Sequence, residues 1–178
     1  MIIKHVIIES YNGEWPNMYS EIKSILQKQL EDLILTIEHV GSTSVPGLAA
    51  KPILDIDIVI ESMTLLPEVI SRLDELGYFH EGDLGVENRE AFGRRDDHVP
   101  YSNDSIIKPN HHLYVCSQGS DALNNHLTFR GILRERPDLV KKYAELKKEL
   151  AEKHKNNRKA YTEGKTEFVH SVINEKES

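Results

Sequence analysis

Residues 53–60, Ile-Leu-Asp-Ile-Asp-Ile-Val-Ile, constrain the fold more than any other stretch of this chain. Apolar, largely β-branched residues in a short run read as a strand. Asp55 and Asp57 interrupt the run at i and i+2, so both carboxylates leave the same face, about 7 Å apart along the strand. The opposite side of that strand is expected to be buried. Unpaired carboxylates among such neighbours are costly, so the pair reads as a site rather than a solvated face. Just upstream, Gly41-Ser42-Thr43-Ser44-Val45-Pro46-Gly47 forms a loop of small residues. Gly41 permits a sharp turn and close approach of a ligand to the backbone. The hydroxyls and N–H groups of Ser42, Thr43 and Ser44 suit phosphate oxygens. Two parallel carboxylates beside such a loop make a site for Mg²⁺, which is commonly held by one or two carboxylates plus substrate phosphates.

The rest of the chain supplies a frame for that segment. Ile2 to Glu9 reads as a strand, Glu14 to Leu33 as a helix with Pro16 in its first turn, and Leu35 to Val40 as a second strand. A helix from about Leu66 stops before Gly77. Tyr78 to Glu81 is extended, and the polar stretch Gly82 to Arg89 reads as a mobile loop. Glu90 to Arg95 and Ile106 to Cys116 read as two further strands. From Ser120 onward the pattern is helical: one helix to Arg136, a second from Pro137 with Leu139, Tyr143, Leu146 and Leu150 as its buried stripe, and a third from about Asn157 to Val172. The expectation is one α+β domain: a sheet-containing core to about residue 119, then a helical region packed on it from about 120 to 175.

Composition narrows the function. The 178 residues hold one cysteine, Cys116, so no intrachain disulfide forms, and a reducing cytoplasm is the expected setting. No apolar run approaches the roughly 20 residues of a membrane helix, so no membrane partner is expected. A net charge of −7 argues against nucleic acid as a partner, because that binding needs a basic face. The cations are nonetheless concentrated. Twelve of the 22 Lys and Arg lie between Arg130 and Lys165, alongside six acids, enough for some to converge on an anionic ligand while others simply solvate helix faces.

The string His39-Val40-Gly41-Ser42-Thr43-Ser44-Val45-Pro46-Gly47-Leu48-Ala49-Ala50-Lys51-Pro52, followed by Asp55-Ile56-Asp57, resembles the GrpB-like family within the DNA-polymerase-β-like nucleotidyltransferase superfamily. Glu14-Trp15-Pro16, His112-Leu113-Tyr114-Val115, Leu127-Thr128-Phe129-Arg130, Leu133-Arg134, Pro137, Tyr143 and Leu146-Lys147 extend the likeness over nearly the whole chain. The resemblance implies a nucleotidyltransferase-like mixed sheet flanked by helices. It also implies Gly41 and Ser42 at a triphosphate, Asp55 and Asp57 on a divalent metal, and transfer of a nucleoside monophosphate from an NTP to a small-molecule acceptor. Many such enzymes carry a third carboxylate on a neighbouring strand. Here the corresponding strand offers His111, His112 and Tyr114, and His112 is the candidate third metal ligand or base.

Several further residues have two readings. Lys51 lies between the loop and the Asp pair and can reach phosphate. His39 is either a lining residue or a structural one. Arg130 and Arg134 share a helix face; their forks suit phosphate, or an acid in a salt bridge. Lys165 lies among Tyr161, Phe168 and Val169, so it either meets a phosphate or snorkels to solvent. Gly164-Lys165-Thr166 is not a P-loop, since Lys159 stands where its first glycine belongs. Three functions fit these residues: a Mg²⁺-dependent nucleotidyltransferase, a nucleotide- or phosphate-binding module without turnover, and a metal-dependent phosphate-ester hydrolase using Asp55, Asp57 and His112.

Overall fold

The apolar run at 54–60 becomes the second of five strands in a mixed sheet, and the rest of the architecture follows from what covers its two faces. The computed structural model describes residues 5–175. The strands are β1 Thr36–Val40, β2 Leu54–Ile60, β3 Tyr78–Gly82, β4 Arg89–Arg94 and β5 His111–Ser117, in the spatial order β1-β2-β5-β4-β3. β2 and β5 are parallel, and every other neighbouring pair is antiparallel. The helices are α1 Trp15–Leu30, α2 Leu66–Glu75, α3 Asp121–Glu135, α4 Pro137–Lys153 and α5 Arg158–Glu175.

Alternation along β2 sends Ile56 and Ile58 to one face, where they join Trp15, Ile22, Leu26 and Leu30 of α1 and Val69 and Leu73 of α2 in the main core. Val59 on the other face packs with Cys116 and Leu123 under α3. A third cluster joins the loop after β1 to the helical region: Val45 and Leu48 are buried against Phe129, Leu133, Leu139, Tyr143 and Val172. The segment between β1 and β2 is therefore a plug inserted between α3, α4 and α5, which fixes the Gly-Ser turn relative to both halves of the molecule.

The expected α+β architecture is the one observed, with local differences. Residues 1–4 of the expected N-terminal strand lie outside the described residues, and its remainder forms only an isolated bridge, Glu9 with Ala50. The expected strand from Ile106 begins instead at His111. Pro109 has no N–H to give to a ladder, and the Lys108 N–H is taken by the carbonyl of Asp97. α1 ends at Leu30, where a 3-10 turn takes over, rather than at Leu33. On α4 the buried stripe is Leu139, Tyr143, Lys147 and Ala151 instead of one through Leu146 and Leu150. A spacing of four keeps these residues on one face, and a lysine holds a core position.

Candidate functional site

Gly41 has φ 73, in the left-handed region that favours glycine, and it turns the chain out of β1 into a 3-10 turn of Ser42–Ser44. A Cβ at Gly41 would lie 2.4 Å from Asp55 Oδ2, so only glycine allows the turn to rest against that carboxylate. The turn is pinned from below and from the side. The Ser44 hydroxyl donates to the Gly41 carbonyl at 2.6 Å. His39 Nε2 lies 2.8 Å from Thr43 Oγ1, and its ring stacks on Tyr19. Burial lowers the His39 pKa to about 4, so it is neutral at physiological pH and acts as a strut for Thr43 rather than as a lining group.

The antiparallel register of β1 and β2 sets Asp55 opposite Val40 and Asp57 opposite Glu38, and the parallel register of β5 sets them beside His112 and Tyr114. Each carboxylate holds a histidine. His112 Nδ1 lies 3.1 Å from Asp55 Oδ1, and His126 Nδ1 of α3 lies 2.6 Å from Asp57 Oδ2. Asp55 is a third exposed, whereas Asp57 is fully enclosed, with α3 above it. The sequence reading turned both carboxylates toward one site; they do share a strand face, but α3 covers one of them.

Above this floor lies a cavity of about 410 Å³, lined by Gly41, Ser42, Thr43, Lys51, Asp55 and His112 among others, within the usual size range of ligand pockets. The facing wall is cationic. Lys51, Lys147 and Lys165 line it together with Arg158, and none of the four forms a salt bridge among the described residues. The ammoniums of Lys51 and Lys165 lie 4.9 Å and 4.5 Å from the Tyr161 ring centroid, and that of Lys147 lies 4.7 Å from Tyr143. Lys147 also donates to the Ala49 carbonyl. Burial, with the neighbouring lysines, lowers Lys147 to about 7 and Lys165 to about 8, against a smaller opposing pull from Asp55. Gly164 allows this crowding: a Cβ there would meet Leu150 Cδ2 at 2.6 Å, so α5 can come close against α4.

Among the described residues, three buried side-chain polar atoms lack a hydrogen-bond partner: Asp57 Oδ1, Arg89 Nε and Tyr161 Oη. Arg89 and Tyr161 line the cavity, and Asp57 is joined to it through His126, another lining residue. Unpaired buried groups are rare in native proteins and call for an explanation. Their gathering at one cavity points to a polar ligand.

The donor set fits Mg²⁺. Two carboxylates rise from one strand face, and one of them has an oxygen without a partner. No three His, Cys, Asp or Glu side chains among the described residues form a preformed metal cage. Mg²⁺ does not require one, since substrate phosphates and water complete its octahedron.

The structure thus gathers Gly41, Ser42, Thr43, Lys51, Asp55, His112 and Lys165 at one cavity, with Asp57 directly beneath. Ser44, Arg130 and Arg134 lie outside its lining. Arg130 bonds Glu38 at 2.8 Å and the His39 carbonyl at 2.9 Å, and Arg134 donates twice to the Ser44 carbonyl, at 3.1 and 2.8 Å. Both guanidiniums bond the segment that carries the turn, Arg130 through the Glu38 carboxylate and the His39 carbonyl and Arg134 through the Ser44 carbonyl, so of their two readings the structure favours support over phosphate contact. Sequence reasoning missed His126, Lys147, Arg89 and Arg158. His126 was legible as the residue four before Arg130 on the same helix face. Lys147 was legible as the residue four after Tyr143. Arg158, like Lys147, lies in the cation-rich stretch expected to send some charges to an anionic ligand, whereas Arg89 gave no signal.

With this geometry established, the comparisons become informative. The family described as GrpB protein matches residues 5–175. The glutamate-rich protein GrpB of Alkalihalophilus pseudofirmus is 32% identical over 96% of this chain and 95% of its own length. Protein YqkA of Bacillus subtilis is 34% identical over 93% of this chain, which spans only 46% of YqkA. The crystal structure of the conserved protein GrpB from Enterococcus faecalis superposes with a TM-score of 0.80 at 30% identity, over 95% of this chain and 96% of that one. The Cid1 poly(U) polymerase, at 14% identity and a TM-score of 0.46, is too distant a likeness to carry an argument. The family match and the relatives run over nearly the whole chain, which belongs to the GrpB family.

Proposed function

We propose that this protein binds a nucleoside triphosphate with Mg²⁺ and transfers the nucleoside monophosphate to a small-molecule acceptor. The observation that carries the reading is one cavity with Asp55 on its floor, Asp57 just beneath, and on its wall four cations that form no salt bridge among the described residues. Mg²⁺ held by Asp55 and Asp57 would neutralise phosphate charge. The Ser42 and Thr43 N–H and hydroxyl groups would receive phosphate oxygens. Lys51, Lys147, Lys165 and Arg158 would orient the pyrophosphate portion and stabilise the charge that develops on it. In the transfer, an acceptor hydroxyl oxygen bonds to the α-phosphorus and the bond from that phosphorus to the bridging oxygen breaks. Pyrophosphate leaves with the electron pair. His112, whose Nδ1 lies 3.1 Å from Asp55 Oδ1, would take the hydroxyl proton on its other ring nitrogen.

A second reading, binding without turnover, is favoured by the full enclosure of Asp57 beneath His126. Calorimetric titration of the four NTPs, with and without Mg²⁺, onto wild type and Asp55→Asn/Asp57→Asn tests the shared core of both readings. Mg²⁺-dependent binding of an NTP that the double variant loses is the expected result. Binding that is indifferent to Mg²⁺ and to the two aspartates overturns the assignment. Acceptor-dependent pyrophosphate release then separates transferase from binder, and release with water alone identifies a hydrolase.

A further inference from the structure

Arg89 is the cavity cation that neither the Gly-Ser turn nor the helical wall accounts for. It opens β4, two strands away from β2 and on the far side of β5. Asn88, with φ 58, turns the chain into the strand, and its carbonyl accepts the Ser117 N–H at 3.2 Å, which fixes the Arg89 backbone against β5. The guanidinium carbon lies over the Tyr114 ring, 4.4 Å from its centroid, within cation–π distance. Tyr114 is in turn the β5 neighbour of Asp57 in the register.

That guanidinium still has its donors to satisfy. Arginine carries five N–H groups in a rigid fork suited to carboxylate or phosphate. Among the described residues the Arg89 side chain is in no salt bridge, and its buried Nε has no hydrogen-bond partner. Its neighbour in sequence, Glu90, pairs with His80 at 3.0 Å. Lys51 lies four residues before Asp55, ahead of β2, whereas Arg89 pairs with Cys116 at the level of Val59 near the end of β2. The register therefore sets these two cavity-lining cations at opposite ends of the strand, with Asp55 and Asp57 between them.

We propose that Arg89, laid on Tyr114, forms a second anion subsite that binds a phosphate or carboxylate group of the acceptor, so that the acceptor is itself an anionic small molecule. The proposal rests on the nucleotidyltransferase reading for the word acceptor, but the anion site stands on its own geometry. Its logic is division of labour. The lysine wall takes the pyrophosphate portion of the donor, and Arg89 positions the nucleophile on the opposite side of Asp57. A neutral alcohol would leave the fork unpaired, which disfavours it.

The test uses the full chain saturated with Mg²⁺ and the α,β-methylene analogue of ATP, titrated calorimetrically with inorganic phosphate. Wild type should bind phosphate without displacing the analogue. Arg89→Gln should bind it about tenfold or more weakly, the loss expected for a charge-assisted pair, while its affinity for the analogue is unchanged. Arg89→Lys, which keeps the charge but not the fork, should fall between. Equal phosphate binding by Arg89→Gln, phosphate that only competes with the analogue, or no phosphate binding at tens of millimolar would each overturn the proposal. If the analogue itself does not bind wild type, the nucleotide reading fails separately. Phosphate titration of the free protein, wild type against Arg89→Gln, then decides the anion site by the same criterion.

Discussion

Asp55 and Asp57 on the sheet each hold a histidine, whereas Lys51, Lys147, Lys165 and Arg158 on the facing wall form no salt bridge among the described residues. The two walls of one cavity have thus reached opposite solutions to charge near a protein interior. The sheet gives each carboxylate a hydrogen-bond partner, through neighbours set by strand register and by one turn of α3. The helical wall leaves its cations crowded, and the buried Lys147 and Lys165 respond with lowered pKa values. Holding like charges together costs stability, and a polyanion removes that cost on binding. On the proposed reading, the carboxylates take a cation and the wall takes phosphates.

The largest expected effect tests the floor. Asp57→Asn keeps the shape and removes the charge, and Mg²⁺-dependent nucleotide affinity should fall about 100-fold or more with the far-UV circular dichroism unchanged. Next comes the contact between floor and turn. Gly41→Ala forces a Cβ against Asp55 and strains a positive-φ residue, and should cost roughly 1–3 kcal/mol of stability by thermal melting as well as nucleotide affinity. On the wall, Lys165→Met should weaken nucleotide binding about tenfold and flatten its salt dependence, because it removes a contact to phosphate rather than a scaffold. Arg134→Ala sharpens that distinction. It leaves the Ser44 carbonyl without its two donors, so melting should report a loss of about 2 kcal/mol, with a smaller change in affinity and an unaltered salt slope. A loss in the salt slope as large as that of Lys165→Met would return Arg134 to the phosphate.

The smallest effect is pH-dependent, and its sign follows from linkage. The folded pKa of Lys147, about 7, lies below the ordinary lysine value of 10.5, so between those limits the unfolded chain binds more protons than the folded one. Ligand-free stability should therefore rise as pH increases from about 7 toward 10. The penalty is fully present below the folded value. Lys147→Met should show a flatter rise in melting temperature across that window. Nucleotide binding should run the other way. Phosphates favour the charged lysines, so protons are taken up near pH 7.5, and titrations in buffers of different ionisation enthalpy measure that uptake directly. Proton release at that pH would break the comparison between the walls.

Strand and turn chemistry were legible from local sequence. A period-2 pattern with two aspartates fixes which face they share, and Gly41 before three hydroxyl residues announces a turn with donors. Those features need only neighbouring residues to specify them. The strand from Ile106 was misread because its apolar composition was weighed above Pro109, which cannot join a ladder. Lys147 was missed for a related reason. Patterning treats lysine as an outward residue, yet a lysine can hold a core position when a backbone carbonyl, here that of Ala49, and an aromatic ring receive it. Arg130 and Arg134 show the reverse. Their spacing placed them on one face correctly, but only the packed structure shows that the Glu38, His39 and Ser44 groups of the turn-bearing segment occupy their donors.

By itself the sequence determined the α+β class, the carboxylate pair on one strand face and the small-residue turn beside it, because each is set by local conformational preference and by side-chain periodicity. Tertiary structure alone decided that α3 covers Asp57 with His126, that Lys147, Arg158 and Lys165 join Lys51 on one wall, and that Arg89 reaches the cavity from beyond β5. Asp57 and His126 are 69 positions apart, and Lys51 and Lys165, which share the Tyr161 ring, are over 100 apart. Only the packing of the helical region on the sheet, with Val45 and Leu48 plugged between them, brings such distant charges to one point.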